Sequence, residues 1–282
     1  MTSTLSFALL VFVALLTACS STKKQFGQVL VRKSTDTTRS KQEIARIRAL
    51  DNDHFEGASF EKGSMEIKYR LFKPNQQQSK DTLRHPLVVV YHSSGRPVGR
   101  DNKAQLGILP KLFASPQIQK SYPAYVLAPQ FSTRSSDYVM DTTRGVLCSI
   151  PRPCLESVWQ LIDSLKSSLP IDHERIYAVG FSMGASTVIN SLSARADLFA
   201  AGISIAGIPQ FDKLDQLRST PIWLIHGVDD TENPITSDER FYKEMPSRIL
   251  FWKLADTTHD TIFTTQLLGE TLPQWLFNHR KK

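Results

Sequence analysis

The chain alternates between apolar runs of strand length and segments with helical spacing of apolar positions. Residues 65–74 alternate between apolar and polar, as in a strand with one face in water. Five later runs are continuously apolar, which is typical of parallel strands covered on both faces. They lie at 86–92, 124–130, 175–181, 200–207 and 221–227, and a last strand is predicted at 247–255. Helical patterns lie between them, at 103–115, 156–168, 183–195, 236–245 and 262–279. This alternation predicts an α/β fold with a mostly parallel central sheet flanked by helices.

Two stretches bear on how the domain is organised. Only about 13 residues, 208–220, separate the sixth predicted strand from the seventh, so we expect no large cap domain between them. The longest irregular segment is 131–155, and loops of that length in a compact domain are usually functional or disordered. We expect this segment to form one wall of the substrate cleft. The sequence shows no repeat and no boundary to a second domain.

Composition supports one globular domain behind an export signal. The chain has 282 residues, of which 41% are hydrophobic and 22% are charged, enough for one sizeable core. The first 18 residues carry no charged side chain and are apolar from Leu5 to Leu16. This run is too short to span a bilayer and fits the apolar region of a secretory signal. We predict a signal peptide over 1–18, a polar tether with a short helix over 19–50, and an α/β domain over 51–282.

The end of the predicted signal resembles the lipobox of bacterial lipoproteins, in the stretch LTACS from Leu16 to Ser20. In those proteins the cysteine becomes the new N-terminus and carries the lipid, so the resemblance implies lipidation of Cys19 and stable attachment to a membrane. Ser20 resembles the type sorted to the outer membrane, which places the protein in the cell envelope facing the periplasm. An ordinary cleaved signal peptide is the alternative, and no Lys or Arg precedes the apolar run.

Charge and cysteines add two further expectations. The net charge is +7, but no basic cluster is dense enough to predict nucleic-acid binding. The stretch HRKK at 279–282 is interpreted as a solvated helix end. In an oxidising compartment we expect Cys148 and Cys154 to form a disulfide that closes a short loop. No metal site and no cofactor are predicted, since two cysteines without a nearby histidine fall short of a ligand set.

The stretch VGFSMGAST places one serine between two glycines, directly after a predicted strand and before an apolar helix. The pattern Gly180-Phe181-Ser182-Met183-Gly184 forces the serine into a strained turn, and small neighbours let strand and helix approach each other. A serine needs a base to remove its proton, and the base needs a carboxylate that holds its tautomer. We therefore predict Ser182 as a nucleophile that is activated by a histidine and an acid.

Three histidines follow Ser182 in the chain: His226, His259 and His279. In α/β-hydrolases the order is Ser, acid, His, and the histidine follows the last strand. His259 has that position and is the predicted base. His226 ends a predicted strand and is interpreted as a packed side chain, whereas His279 is expected to be solvated. The acid should lie on the loop after 221–227, where both Asp229 and Asp230 occur.

The stretch HGVDDTENP resembles the His-Gly-x-x-Asp-x-x-x-Pro segment of dienelactone-hydrolase-like and polyhydroxybutyrate-depolymerase-like esterases. The stretches VVVYHSSGRPVGRDNKAQL and IDHERIYAVGFSMGA also match that family, often labelled predicted peptidases or prolyl-oligopeptidase-like esterases. The resemblance covers most of 60–282. It implies an α/β-hydrolase fold, Asp230 as the catalytic acid, and Asp229 as a solvated neighbour.

The resemblance also implies an oxyanion hole made of two backbone N–H groups, from Met183 and Ser93. The family has His-Gly-x-Gly where this chain has His92-Ser93-Ser94-Gly95, so a serine replaces the first glycine. A serine retains the N–H, but its side chain changes how closely a substrate approaches. A second departure is Ala185, where a third glycine is common.

These features predict an exported, lipid-anchored serine hydrolase that cleaves carboxylic esters through an acyl-enzyme. The absence of an inserted cap predicts an open cleft, which suits a polymeric or surface-bound ester. Two alternatives are a serine peptidase on the same fold and a non-catalytic lipoprotein of the envelope. The sequence predicts no nucleic-acid partner and does not indicate an oligomeric state.

Overall fold

The computed structural model describes residues 26–33, 37–63, 65–75, 83–95 and 98–281. Strands in this part of the chain are β1 (Gln28–Lys33), β2 (Phe55–Lys62), β3 (Met65–Phe72), β4 (His85–Tyr91), β5 (Tyr125–Gln130), β6 (Ser136–Asp141), β7 (Val146–Pro151), β8 (Ile171–Phe181), β9 (Ala201–Ile205), β10 (Ile222–Gly227) and β11 (Ile249–Ala255). Helices are α1 (Thr37–Arg48), α2 (Ile108–Ala114), α3 (Pro116–Ser121), α4 (Cys154–Ser168), α5 (Met183–Ala194), α6 (Leu214–Leu217), α7 (Thr236–Glu244), α8 (Thr265–Leu268) and α9 (Thr271–Phe277). A short 3₁₀ helix covers Pro246–Arg248.

Nine of the strands form one twisted sheet in the order β1-β11-β10-β9-β8-β4-β5-β3-β2. The first seven strands in this order, from β1 through β11, β10, β9, β8 and β4 to β5, are parallel to one another. At the far edge, β3 is antiparallel to β5, and β2 is antiparallel to β3. The strand order reverses between β8 and β4. In α/β sheets, binding sites lie at this reversal, beyond the carboxyl ends of the strands.

The core has two layers, one on each face of the sheet, because the central strands are apolar on both sides. In β8, Tyr177 and Val179 pack into one layer and Ile176 and Ala178 into the other, and all four are buried. Alternate side chains of a strand point to opposite faces, so a run without polar residues needs helices on both sides. The predicted mostly parallel sheet is therefore confirmed, and the seven predicted strands correspond to β3, β4, β5, β8, β9, β10 and β11. The predicted helix at 262–279 is split into α8 and α9 around Gly269.

The sequence predicted an irregular segment over 131–155, and this prediction is wrong. It forms a hairpin in which β6 and β7 pair antiparallel. The hairpin packs on α5 through buried hydroxyl contacts: Ser135 Oγ lies 2.7 Å from Thr187 Oγ1, and Ser149 donates to Asn190 at 2.9 Å. The structure therefore places this segment against the helix that follows Ser182.

Part of the predicted tether, 19–50, contains regular structure. Strand β1 pairs in parallel with β11, from Gln28 beside Leu250 onward, and the predicted short helix is the later part of α1. The buried ammonium of Lys111 donates to the Arg48 and Leu50 carbonyls at 2.7 and 2.6 Å, which satisfies the carboxyl end of α1. These contacts make this segment part of the sheet and its helical layer.

The disulfide expected between Cys148 and Cys154 is not formed, and this prediction is wrong for the structure: both thiols are free. Cys148 lies on β7 with its side chain in the core, and its Sγ contacts the Ser149 carbonyl at 3.5 Å. Cys154 begins α4, and its Sγ donates to the Arg134 carbonyl at 3.5 Å. The two cysteines are close in sequence, but the extended end of β7 lies between them. Their thiols therefore contact different partners.

The predicted signal peptide 1–18 and Cys19 lie outside the described residues. Among the residues that are described, none belongs to a helix with the length and apolar character needed to cross a membrane.

Candidate active site

The strained turn predicted around Ser182 lies at the carboxyl end of β8, where that strand passes directly into α5. Ser182 has φ 58° and ψ −125°, a conformation that non-glycine residues rarely adopt. A Cβ on Gly180 would lie 2.2 Å from the Gly184 carbonyl oxygen, and one on Gly184 would lie 2.2 Å from that of Tyr91. Both positions therefore exclude any side chain. The two glycines allow the close packing that holds the serine in this strained position.

His259 lies between the serine hydroxyl and a carboxylate. Its Nε2 is 2.9 Å from Ser182 Oγ, and its Nδ1 is 2.7 Å from Asp230 Oδ2. A carboxylate only accepts hydrogen bonds, so the ring proton lies on Nδ1, and the lone pair of Nε2 faces the hydroxyl. Ser182, Asp230 and His259 are 8%, 6% and 6% exposed, which leaves them nearly screened from water. This arrangement can accept a proton from the serine and hold the resulting imidazolium.

The carboxylate of Asp230 is held in its charged form. Its Oδ1 accepts the N–H groups of Glu232 and Asn233 at 2.9 and 2.8 Å. Burial alone would raise the pKa of Asp230, but hydrogen bonds from His226, His259 and Asn233 outweigh burial and hold that pKa well below its usual range. Asp230 is therefore charged at neutral pH.

Asp229, the other candidate acid, points away from His259. Its side chain is exposed, and its N–H donates to the Thr257 carbonyl at 3.0 Å. Because successive residues on this tight turn point in different directions, only Asp230 reaches the imidazole. The structure thus brings together Ser182, His259 and Asp230 from the loops after β8, β11 and β10.

The two other histidines that follow Ser182 in the chain, His226 and His279, have other hydrogen-bond partners. His226 is fully buried behind Asp230. His279 is not solvated, so that prediction is wrong: its Nδ1–H donates to the Trp275 carbonyl at 2.8 Å, and its own carbonyl accepts the Tyr177 hydroxyl at 2.7 Å. Burial lowers the pKa of His279. These contacts place the ring in the core at the carboxyl end of α9.

The predicted oxyanion residues follow β4 and β8, which are neighbouring strands of the sheet. Met183 is the first residue of α5, and the first N–H groups of a helix have no partner within the helix. Ser93 follows β4, and its carbonyl is fixed by His92. The Phe131 N–H donates to His92 Nε2 at 3.0 Å, so the ring proton lies on Nδ1 and donates to the Ser93 carbonyl at 2.8 Å. Burial lowers the pKa of His92 to about 4, which keeps this ring neutral.

A cavity of about 250 Å³ lies beside the Ser93 loop. Its lining includes Ser93, Phe181, Phe263, Ile108 and Arg48. The Phe181 ring, which is part of this lining, also lies 4.8 Å from the His259 ring. A larger cavity, of about 790 Å³, lies near the amino ends of β4 and β5 and is remote from this chemistry.

Two acidic residues near the site were not identified from the sequence. Glu232 Oε2 lies 3.8 Å from His259 Nε2, and its side chain is largely exposed. Asp238, on α7, contacts His226 and is fully buried. Glu232 stands at a variable position of the stretch HGVDDTENP, and Asp238 stands outside it, so the motif marks neither residue.

Comparisons with known proteins show what the chain is similar to in sequence and fold. No family model matches the chain. A stretch of 100 residues is 32% identical to the bifunctional acetylxylan esterase/xylanase XynS20E of Neocallimastix patriciarum, which is 36% of this chain and 15% of that protein. The crystal structure of a thermostable esterase covers 81% of this chain at 27% identity, with a TM-score of 0.71. The chain spans 64% of that esterase and a small part of the curated relative.

More distant structures show the fold alone. The acylaminoacyl peptidase of Pyrococcus horikoshii is 20% identical over 84% of this chain and 43% of its own, with a TM-score of 0.55. A ferulic acid esterase of Anaeromyces mucronatus is 12% identical over 77% of this chain and 87% of its own, with a TM-score of 0.54.

The chain has the α/β-hydrolase fold, as was predicted from the sequence. Between β9 and β10 the described structure contains only the short helix α6, so no large cap domain is evident there. The predicted resemblance to esterases and peptidases of this fold is also confirmed. Fold and resemblance both agree with the predicted class of serine hydrolases.

Proposed function

We propose that the protein is a serine hydrolase that cleaves carboxylic esters through an acyl-enzyme on Ser182. The observation that carries this proposal is the continuous contact from Ser182 Oγ to His259 Nε2 at 2.9 Å and from His259 Nδ1 to Asp230 Oδ2 at 2.7 Å. Such an arrangement activates a hydroxyl that is otherwise a poor nucleophile.

In the acylation step, His259 removes the proton of Ser182 as Oγ attacks the ester carbonyl carbon. The carbonyl oxygen becomes an oxyanion that the N–H groups of Met183 and Ser93 stabilise. Asp230 stabilises the imidazolium, which then gives its proton to the leaving alcohol oxygen as the carbon–oxygen bond breaks. The products of this step are the alcohol and the acyl-enzyme.

Deacylation uses the same groups, with water as the nucleophile and Ser182 as the leaving group. His259 takes a proton from water as the water oxygen attacks the acyl carbon, and a second oxyanion forms in the same position. Collapse of this intermediate releases the carboxylic acid and returns the proton to Ser182. Each step therefore begins and ends with a neutral His259 beside a charged Asp230.

Ester rather than peptide cleavage is favoured by the relatives with the higher identities. The curated relative is described as an acetylxylan esterase and the 27% identical structure as an esterase, whereas the peptidase likeness extends to the fold alone. A non-catalytic lipoprotein would have no use for a strained Ser182 held against a histidine, because such strain lowers stability.

We further propose an ester substrate with a compact acyl group carried on a polymer or a surface. The cavity of about 250 Å³ beside Ser93 would hold a short or a single aromatic acyl group and would exclude a long chain. The name of the curated relative, an acetylxylan esterase, agrees with a small acyl group on a polysaccharide.

The lipid anchor on Cys19, with export to the outer membrane, is also part of the proposal. It rests on the apolar run and the lipobox-like stretch, with an ordinary cleaved signal peptide as the alternative. Eight residues, 20–27, lie between Cys19 and β1, a reach of at most roughly 30 Å, so the anchored domain would stay close to the membrane. Cys19→Ala should move the protein from the membrane fraction to the soluble fraction. A wild-type protein without acyl chains would contradict the anchor.

The activity is tested with the protein lacking residues 1–19. A fluorophosphonate probe should label Ser182, and Ser182→Ala should abolish that label. Turnover is then measured on p-nitrophenyl esters of increasing acyl length and on aminoacyl anilides. The proposal predicts labelling, cleavage of short-chain esters, and little cleavage of anilides. Labelling with a preference for anilides would support the peptidase, and an unlabelled protein would support the non-catalytic alternative.

A further inference from the structure

A second histidine–carboxylate pair lies directly behind the catalytic acid. His226 Nδ1 is 2.7 Å from Asp238 Oδ2, and both side chains are fully buried. The other ring nitrogen, Nε2, is 2.8 Å from the Asn233 carbonyl oxygen and 3.3 Å from Asp230 Oδ2. His226 and His259 thus lie near the same carboxylate oxygen of Asp230.

The partners of His226 fix where its protons lie. A carbonyl oxygen only accepts hydrogen bonds, so Nε2 carries a proton that it donates to Asn233, and Asp230 Oδ2 lies 3.3 Å from the same nitrogen. The other proton is shared between Nδ1 and Asp238. The pair is therefore neutral as a whole, whichever atom holds that proton. The negative charge of Asp230 remains uncompensated until an imidazolium forms on His259.

Asp230 is surrounded by donors on both oxygens. Its Oδ1 accepts the N–H groups of Glu232 and Asn233, and its Oδ2 faces the ring nitrogens of His259 and His226. A carboxylate has about four acceptor positions, so these donors fix its rotation. Because two of them come from the same loop as Asp230, only the two histidines hold the carboxylate from other parts of the fold.

The pair itself stands on rigid elements. His226 is in β10, in the middle of the sheet, and Asp238 is in the first turn of α7. Asp230 lies on the loop between them. Sites are held more precisely by strands and helices than by loops, so the pair can transfer the rigidity of the sheet to the loop that carries the acid.

We propose that His226 is a positioning residue for the proposed hydrolysis: anchored by Asp238, its Nε2–H fixes the carboxylate of Asp230, which in turn orients His259. This inference rests on the proposed function. It differs from a purely structural role, in which His226 only satisfies the buried carboxyl of Asp238.

Two substitutions of similar chemistry separate these roles. In His226→Gln the amide nitrogen can occupy the place of Nε2 and still donate toward Asp230, but the contact to Asp238 is lost. In His226→Asn the shorter side chain can reach only the place of Nδ1, so it keeps the contact to Asp238 and loses the donor to Asp230. A positioning role predicts that Gln preserves turnover better than Asn, and a structural role predicts the opposite.

The expected result for His226→Asn is a kcat roughly 10- to 100-fold below wild type with KM unchanged, the size of one hydrogen bond to a charged group. Labelling of Ser182 by the fluorophosphonate should slow by a similar factor. The downfield proton resonance of His259 Nδ1–H should shift or broaden, and His226→Gln should restore all three readouts toward wild type. Equal turnover in both variants, or faster turnover in Asn than in Gln, would overturn the proposal.

Controls separate folding from positioning. His279→Phe removes another buried histidine far from Asp230 and should lower the melting temperature without changing kcat. If neither single variant at 226 folds, the double variant His226→Phe/Asp238→Leu removes the buried pair together. Its kcat should stay low although it folds, and wild-type kcat in that variant would overturn the proposal. Labelling of wild-type Ser182 tests the proposed function separately, because its failure would affect every variant.

Discussion

The two histidine–carboxylate pairs at the carboxyl end of the sheet have the same composition and nearly the same geometry. In both, an Nδ1 lies 2.7 Å from an Asp Oδ2: His259 with Asp230, and His226 with Asp238. They differ in what the second nitrogen faces. For His259 this is the Ser182 hydroxyl at 2.9 Å, and for His226 it is the Asn233 carbonyl at 2.8 Å.

That difference determines which pair can perform chemistry. A hydroxyl can give its proton to a nitrogen lone pair, whereas a carbonyl has no proton to give and holds the nitrogen in its protonated form. Burial adds to the contrast, because His226 is fully buried whereas His259 is 6% exposed. A histidine–aspartate contact alone therefore does not identify a catalytic base, and the partner of the remote nitrogen does.

The largest expected effect comes from removing His259, the proposed base of the pair that contacts Ser182. His259→Gln should lower kcat/KM by several orders of magnitude, on the order of 10⁶-fold as for triad residues in serine proteases. The fold should be unaffected, since the ring lies at the end of a loop. Steady-state kinetics on a short-chain ester, together with circular dichroism, test this. If His226→Gln were the inactive variant and His259→Gln the active one, the roles of the two pairs would be reversed.

The next effect concerns the acid that both pairs contact. Asp230→Asn should lower kcat by about 10⁴-fold, because an amide no longer holds His259 in the correct tautomer. Asp229→Asn is the matched control, as it changes the neighbouring exposed carboxylate in the same way. Small and equal effects from the two substitutions would show that the acid lies elsewhere, and Asp256 and Asp260 would be tested next.

A smaller effect is expected from changing the proposed oxyanion hole, which would serve only the pair that contacts Ser182. Ser93→Pro removes the backbone N–H and should lower kcat roughly 10²- to 10³-fold. Ser93→Gly keeps that N–H and restores the residue found in similar proteins, so kcat should change only a few-fold. Kinetics on esters of two acyl lengths check both variants. Equal losses would indicate that the Ser93 side chain, rather than its N–H, acts in catalysis.

Local signals explain why one pair could be predicted and the other could not. Ser182 and His259 have fixed positions relative to strands that the apolar pattern predicts, and the family resemblance of HGVDDTENP selects Asp230 over Asp229. The contact between His226 and Asp238 joins a strand to a helix across a loop, and no motif marks it. His226 was accordingly interpreted as a packed residue, which describes its burial but not its partners.

The same limit explains the errors in the fold. Strand β1 pairs with β11 from the other end of the chain, so its place in the sheet depends on a contact that sequence spacing cannot indicate. Cys148 and Cys154 have a spacing that suits a disulfide, but β7 and α4 direct their thiols to different partners. Parallel strands with continuous apolar runs were predictable because both of their faces are buried.

The smallest expected effect is a change in how stability depends on pH, and it separates His226 from the other buried histidine. Burial alone would lower the pKa of His226, but hydrogen bonds to Asp230 and Asp238 outweigh it and raise that pKa to about 9. In the unfolded chain the value is about 6.5. The folded protein therefore holds an extra proton between these values, so this contribution is complete below about pH 6.5 and is lost as the pH rises through about 9.

His226→Gln should remove that alkaline loss, measured as the free energy of unfolding in urea from roughly pH 6.5 to 9. His279→Gln is the matched control of opposite sign, since burial lowers the pKa of His279. A buried neutral histidine resists protonation, so it destabilises the fold as the pH falls, and its replacement should flatten only the acid side. An alkaline slope that persists in His226→Gln would show that His226 is not the protonated group. The buried pair would then place a neutral ring, rather than an imidazolium, against the catalytic acid.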